Sequence, residues 1–361
     1  MASHDGNNGS TRVLVTGASG YVAAHVVQQL LQEGYQVRGT VRSLKNPMKV
    51  DPLKKLGEAA DNRLELVEAD LLNAECWADA VDGCDYVMHT ASPFPMGNPS
   101  DENEIIRPAV DGTLNVLKAC TGKVKRVVLT SSVVAIGAVA LEPNKKLTED
   151  DWLDEKKPGI PAYNKSKKLA EKAAWDYQAG LDDGQQFELS VINPALVLGP
   201  PLTQQGGSSI EIMIRTLSGK DFGLPKVMLP ITDVREVASA HVVAMTLPEA
   251  AGHRHIIAGS SYYLSEIGVT LKEEFGPQGY KPTSRNVPNF LVIIGSWFSA
   301  EMKVFRALLG KVVEFDNTRM REVLKVEPRP LKETVDDMAY SLIESGKVEK
   351  TAKYKGRSSQ L

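Results

Sequence analysis

Tyr163 and Lys167 stand four residues apart in the run Tyr163-Asn164-Lys165-Ser166-Lys167, where a helical pattern begins. Side chains at i and i+4 share one face of a helix, so a phenol and an ammonium would sit one above the other. A free tyrosine, with a pKa of about 10, is a poor proton donor or acceptor at neutral pH. A fixed cation nearby favours the tyrosinate and lowers that value. Moving it about three units takes roughly 4 kcal/mol of differential interaction, which a second positive charge close by would help to supply. The same spacing also describes an ordinary surface helix start. The surrounding elements decide between the two.

An apolar run at 12–16 reads as a strand, followed at once by Gly17-Ala18-Ser19-Gly20-Tyr21-Val22-Ala23. A helical pattern then runs through Val26, Val27, Leu30 and Leu31 to Gly34. Strand, glycine turn and helix in this order form a phosphate-binding fingerprint. Gly17 permits the tight turn, Gly20 lets the backbone approach a pyrophosphate, and Ala23 is small enough for helix–sheet packing. The helix N-terminus faces the phosphates with free N–H groups. The second strand, at 35–42, ends Thr40-Val41-Arg42, without the acid that would grip a ribose 2′-hydroxyl. A guanidinium suits a 2′-phosphate, so Arg42 points to NADP(H), with Lys45 placed to assist.

The third strand, at 64–70, ends Asp70-Leu71, where an adenine would rest and Asp70 would accept from its amino group. The fourth, at 85–91, ends His89-Thr90-Ala91 and runs into the irregular loop Ser92-Pro93-Phe94-Pro95-Met96. Loops beyond the carboxyl ends of parallel strands are where ligands sit in such sheets. His89 has no partner at metal-ligand spacing and reads as a buried polar residue lining the cofactor groove. A helix carrying Asn115 follows, then a fifth strand at 124–130 ending Ser131-Ser132. A hydroxyl there can hydrogen-bond a substrate carbonyl. A sixth strand at 187–197 contains Asn193-Pro194. Beyond Pro201 the alternation loosens, with helices expected at 210–218, from 233, at 290–309 and at 331–345.

This pattern predicts an α/β fold, a Rossmann-type doubly wound parallel sheet with a smaller mixed C-terminal substrate-binding region. The NADP-binding domain would span 12–200 with a return strand near 253–259, and 201–347 would be mainly substrate-binding. Residues 1–11 read as a disordered tail without the apolar core of a signal peptide, and 348–361 as a flexible tail.

Composition sets the remaining bounds. At 361 residues, 42% hydrophobic and 24% charged, the chain has an ordinary globular make-up. A formal net charge of −3 gives no general attraction to nucleic acid or an anionic membrane. Cys76, Cys84 and Cys120 are odd in number and show no ligand spacing, against a disulfide framework or a zinc site. The longest apolar stretch, 290–300, is broken by Gly295 and Ser296 and is too short to span a bilayer. The expected location is cytoplasmic. The terminal Ser359-Gln360-Leu361, a loose relative of Ser-Lys-Leu, keeps a peroxisomal address open.

With these residues in order, the chain resembles the extended short-chain dehydrogenase/reductases. It is most similar to the dihydroflavonol reductase-type branch, which includes cinnamoyl-CoA reductases and fungal NADPH-dependent aldehyde and ketone reductases. The matching stretches include 15–23, His89-Thr90-Ala91-Ser92-Pro93, 111–117, 128–132, Tyr163 to Lys167, Asn193-Pro194 and Asp233-Val234-Arg235. The resemblance implies that Ser132 orients a carbonyl, Tyr163 donates a proton, and Lys167 lowers the tyrosine's pKa while binding the nicotinamide ribose. It also implies that Asn115 helps hold a proton-relay water and that Arg42 meets the 2′-phosphate. The implied cofactor contacts are Gly17, Ser19, Gly20, Tyr21, Val22, Arg42, Lys45, Asp70 and Leu71, then Thr90, Ala91, Ser92, Tyr163, Lys167 and Pro194.

The chain departs from plant dihydroflavonol reductases at Gly137, where those enzymes often carry a polar flavonoid contact. A hydroxylated flavonoid loses an anchor there, which favours a smaller or more apolar carbonyl compound. Phe94, Met96, Ser132 and Gly137, with Phe222 and Met228, are candidate pocket residues. The expected activity is reversible NADPH-dependent reduction of an aldehyde or ketone by a monomer or homodimer. Two rivals stay open. One is a hydroxysteroid dehydrogenase/isomerase or nucleotide-sugar epimerase, the other a non-catalytic NADP-sensing protein.

Overall fold

The computed structural model describes residues 8–93, 101–137, 146–204 and 206–357. Short β-branched runs alternate with amphipathic helices through the first half. They form β1 (Arg12–Val15), α1 (Tyr21–Gln32), β2 (Gln36–Val41), α2 (Pro47–Glu58), β3 (Leu64–Glu68), α3 (Cys76–Val81), β4 (Tyr86–His89), α4 (Asn103–Cys120) and β5 (Arg126–Thr130). The two-residue β6 (Lys146–Leu147), α5 (Ala162–Ala179), β7 (Glu188–Pro194) and β8 (Leu196–Leu198) follow. The C-terminal part adds α6 (Ser208–Ser218), β9 (Met228–Asp233), α7 (Val234–Thr246), β10 (Arg254–Ile257), β11 (Ser261–Tyr263) and α8 (Leu264–Phe275). It closes with α9 (Asn289–Gly295), α10 (Ala300–Leu308), β12 (Glu314–Phe315) and α11 (Leu331–Glu344).

Among the described residues seven strands pair in parallel in the order β10-β7-β5-β4-β1-β2-β3. Successive side chains of β1 go to opposite cores, as strand geometry requires. Val13 and Val15 join Val26, Val27 and Leu30 of α1 and Val237 and Ala240 of α7. Leu14 joins Trp77, Val116, Leu117 and Ala174 on the other face. The sheet is therefore covered on both sides, which explains its nearly unbroken apolar strands. Strand order reverses at β1, between β2 and β4, and the crevice outside the carboxyl ends there is the ligand position in such sheets.

Several sequence expectations change. The sixth strand expected at 187–197 splits after Pro194, and β8 leaves the main sheet to pair with β9 in a second sheet, β11-β9-β8. The division expected at 200 is crossed by α7, which packs on α1. The Arg126 guanidinium secures it by donating to the Ala244 and Leu247 carbonyls at 2.7 Å each. The helix expected at 290–309 is two. α9 ends at Gly295, and Ser299 starts α10 by accepting the Met302 N–H.

The expected tails are shorter than 1–11 and 348–361. Asn8 donates to the Glu33 carbonyl. Val348 is buried, Tyr280 donates to the Glu349 carbonyl, and Arg357 pairs with Asp337. Among the described residues no helix is long and apolar enough to cross a membrane. Phe94, Met96 and Ser359-Gln360-Leu361 lie outside the described residues.

Candidate active site

The glycine turn is built for close approach. Gly17 has φ +64°, in the left-handed region, and a Cβ there would stand 3.1 Å from the Ala91 Cβ. A Cβ on Gly20 would stand 3.1 Å from the Gly17 carbonyl oxygen. The Gly17 N–H donates to the Thr40 hydroxyl at 2.9 Å and the Ala18 N–H to the Thr40 carbonyl at 2.8 Å. α1 then starts with no capping side chain, so its first-turn N–H groups keep their affinity for an anion. Gly39, which the sequence reading missed, lets this turn lie on β2, since a Cβ there would stand 2.8 Å from the Ala18 Cβ. A glycine inside a strand pattern was the available signal.

The ends of β1 and β4 are stitched together above this turn. The Thr90 hydroxyl donates to the Thr16 carbonyl at 2.5 Å, and the Ala91 N–H donates to the Thr16 hydroxyl at 3.0 Å. That hydroxyl also meets His89 Nδ1 at 2.9 Å. His89 is buried, and desolvation, followed by the Lys167 charge, pushes its pKa down to about 3. Its Nε2 has no partner among the described residues. The imidazole is therefore neutral and buried at the end of β4.

Other expected cofactor contacts fall into two groups. Arg42 and Lys45 are exposed beyond β2, and Ser92 is exposed beyond β4. The Asp70 carboxylate accepts the Leu72 N–H at 2.9 Å, which shapes the loop after β3. Asn115 donates its amide to the Leu71 carbonyl at 2.9 Å, so that group braces the same loop. Tyr21 points elsewhere. Its phenol donates to the Gly199 carbonyl at 2.6 Å, and burial holds its pKa well above the usual value. Val22 packs into the core, and the Ser19 carbonyl accepts the Thr203 hydroxyl at 3.0 Å.

The residues expected to react gather where β5 ends. Ser132 opens a short 3-10 turn at Val133–Ala135, its hydroxyl 3.4 Å from both the Val134 N–H and the Pro194 carbonyl. Both contacts are long, which leaves the hydroxyl weakly committed. The neighbouring Ser131 is buried, and its hydroxyl lacks a partner among the described residues. α5 packs on the 3-10 turn and on α4, carrying Tyr163 and Lys167 in its first turns. The Lys167 ammonium lies 6.0 Å from the centre of the Tyr163 ring.

Burial governs the electrostatics of this pair in the free protein. It pushes Tyr163 up to about 12. Burial likewise brings Lys167 down to about 8, opposed by the Glu171 carboxylate. Desolvation is the largest influence on both groups. The phenol is therefore held neutral, as a proton donor must be.

The remaining pocket candidates are less directed. Gly137 has φ +154° and lies over Leu147, offering no polar side chain. Phe222 is 71% exposed, with the Arg285 guanidinium 4.5 Å above its ring, so it belongs to the surface. Met228 is half-buried at the start of β9. Sequence reasoning also missed Glu171 and Arg254, a buried ion pair at 2.5 Å behind the Ser132 turn. Only the spacing of Glu171, one helical turn past Lys167, could have pointed to it.

The profile of the 3-beta hydroxysteroid dehydrogenase/isomerase family matches residues 14–272. Cinnamoyl-CoA reductase 2 of Arabidopsis thaliana is 36% identical over 341 residues, covering 92% of this chain and 93% of the relative. The structure of Gre2 from Candida albicans in complex with NADPH superposes with a TM-score of 0.75 at 30% identity, covering 93% of this chain and 99% of that one. Yeast methylglyoxal/isovaleraldehyde reductase Gre2, complexed with NADPH, gives the same TM-score at 29% identity, covering 94% and 100%.

Proposed function

Since the chain belongs to the 3-beta hydroxysteroid dehydrogenase/isomerase family, within the extended short-chain dehydrogenase/reductases, we propose that it is an NADPH-dependent reductase of aldehydes or ketones. One observation carries the reading. β1, β4 and β5 run parallel as neighbours, so the glycine turn, Thr90 and Ser132 emerge at one edge of the sheet, beside the helix of Tyr163 and Lys167.

The residues present fit the cofactor. Gly17 and Gly20 leave a cradle that a Cβ would fill, and Arg42 offers an exposed guanidinium where an NAD site would hold an acid. NADPH, when bound, supplies the hydride. Ser132 and Tyr163 direct their hydroxyls at the carbonyl oxygen, where negative charge develops. As the carbonyl carbon gains hydrogen with its electron pair, Tyr163 passes its proton to that oxygen. The Lys167 cation stabilises the tyrosinate left behind and holds the ribose hydroxyls of the cofactor. Asn115 helps to hold a proton-relay water, and its amide also fixes the loop at Leu71. The nucleotide unit comprises 12–200 with α7 and β10, and 201–347 supplies most of the substrate wall.

Gly137 provides no side-chain partner for a hydroxylated ring system, which favours a smaller or more apolar carbonyl compound. The test is NADPH consumption over aliphatic and aromatic aldehydes, a cinnamoyl thioester, a steroid ketone and a flavonoid, with NADH for comparison. Turnover on an aldehyde with NADPH preferred, and its loss by at least about a hundredfold in Tyr163→Phe, is the expected result. Equal rates with NADH would remove the role of Arg42, and full activity in Tyr163→Phe would remove that of the phenol.

A further inference from the structure

Behind the Ser132 turn lies a buried polar cluster that the mechanism does not use. Glu171 is 1% exposed and sits one turn beyond Lys167 on the same face of α5. Its carboxylate accepts from four donors. These are Arg254 Nε at 2.5 Å and Nη2 at 3.4 Å, Asn193 Nδ2 at 2.9 Å and Trp175 Nε1 at 3.4 Å. The same Asn193 amide lies 3.3 Å from the Ser132 carbonyl and donates to it. Arg254, at the edge strand β10, donates to the Glu149 and Asp151 carbonyls at 2.8 and 2.6 Å. Its guanidinium stacks 3.8 Å above the Trp152 ring.

We propose that Glu171 is a positioning residue, holding Ser132 through Asn193 and the Lys167 turn of α5 through its own helix, with Arg254 as its anchor. The inference rests on the reductase reading above. The cluster joins α5, the end of β5, β7, β10 and the segment at 149–152. A buried ion pair is commonly matched or exceeded in stability by apolar residues of similar volume, so folding alone does not call for one here. Directional hydrogen bonds supply what apolar packing cannot, a fixed place for the Ser132 turn relative to the ammonium. The groups around Lys167 are Tyr163 and Glu171 on its own helix and the neutral His89 from β4. Glu171 is the anion among them, and its charge opposes the loss of the Lys167 proton.

The double variant Glu171→Leu/Arg254→Leu removes the pair without leaving a lone buried charge. Its thermal midpoint should fall, because Asn193, Trp175 and the carbonyls at 149 and 151 lose partners. Measured well below that midpoint, kcat should fall between about tenfold and about a hundredfold, as for a misplaced catalytic group. At mildly acidic pH, where Lys167 keeps its charge with or without Glu171, KM for NADPH should move far less than kcat. A folded double variant with wild-type kcat, whatever its midpoint, would overturn the proposal. If that variant does not fold, Asn193→Ala decides, because it cuts the link to Ser132 and leaves the ion pair in place. Wild-type kcat in Asn193→Ala would likewise overturn it. Should the wild type reduce no carbonyl, the reductase reading fails separately. The Lys167 protonation midpoint, followed by NMR without turnover, then reads the inference. It should drop in Glu171→Gln, and an unmoved midpoint counts against it.

Discussion

Tyr163 and Lys167 divide the acid–base work by their surroundings more than by their spacing. The phenol, pushed up to about 12, keeps its proton across the neutral and mildly alkaline range. The ammonium, brought down to about 8, gives up its proton well below the usual lysine value. With Lys167 at the cofactor ribose, as proposed, the alkaline limb of cofactor binding belongs to it. In the free protein NADPH affinity should weaken as pH rises through about 8, because the cation at the ribose is lost. Fluorescence titration of NADPH against pH reads this directly. Tyr163→Phe should leave the midpoint where it is, and Lys167→Arg should abolish the limb, since a guanidinium stays charged. A limb that moves with Tyr163→Phe would assign the titration to the phenol. Sequence could place this pair because i and i+4 positions share a face, but it could not supply the burial. That comes from elements far away in the chain, with α5 set against the turn after Ser132.

At the scale of elements, the glycine turn depends on a neighbour that no motif names. β2 carries Gly39 beneath Ala18, and an added Cβ would lie 2.8 Å from the Ala18 Cβ and 3.1 Å from Leu66 Cδ2. Gly39→Ala must push the turn off β2, at a cost of about 1–3 kcal/mol for overpacking. NADPH affinity should fall with it, because the Gly17 and Ala18 N–H groups lose their register with Thr40. Ala18→Gly in the same chain clears the contact and should restore affinity. If affinity is unchanged in Gly39→Ala, the turn is not seated by this strand. Elements whose signals are local were legible in the sequence, among them β1 to β5, the glycine turn and the α7 start at Asp233 with its capping box. Those set by distant packing were not. α9 and α10 continue one apolar pattern, and only the break at Gly295 and the Ser299 cap separates them. The assignment of α7 to the nucleotide side depends on contacts with α1 and Arg126, which its sequence position hides.

For the whole molecule, the question is what keeps the C-terminal layers in register with the sheet that carries the turn. The main core under α1 and α7 and the C-terminal core around α8 and α11 are separate clusters. A charged clasp joins them where β9 meets α7. Asp233 caps α7 and receives Arg235 through Nε at 2.8 Å and Nη2 at 2.6 Å, with the Thr334 hydroxyl of α11 at 2.8 Å. Arg235 also reaches Asp337 of α11 at 2.7 Å. Next to it Gly199, whose carbonyl holds the Tyr21 phenol, packs so close that a Cβ would meet Val234 Cγ1 at 2.9 Å. Burial works to raise the Asp233 pKa, and the Arg235 hydrogen bonds outweigh it and hold the carboxyl below the usual range. That pairing contributes stability above the unfolded carboxyl pKa of about 3.9, and the contribution is lost as pH falls through the lower folded value. Arg235→Leu leaves Asp233 buried without its main partner, while Asp337 keeps Arg357. Loss of about 3–5 kcal/mol is expected at neutral pH, the cost of stranding a buried charge. Urea unfolding of both proteins should show the gap narrowing steadily on acidification, as the stranded carboxyl takes up a proton. A gap that is absent at neutral pH, or that holds constant into acid, would mean that apolar packing alone keeps the two cores aligned.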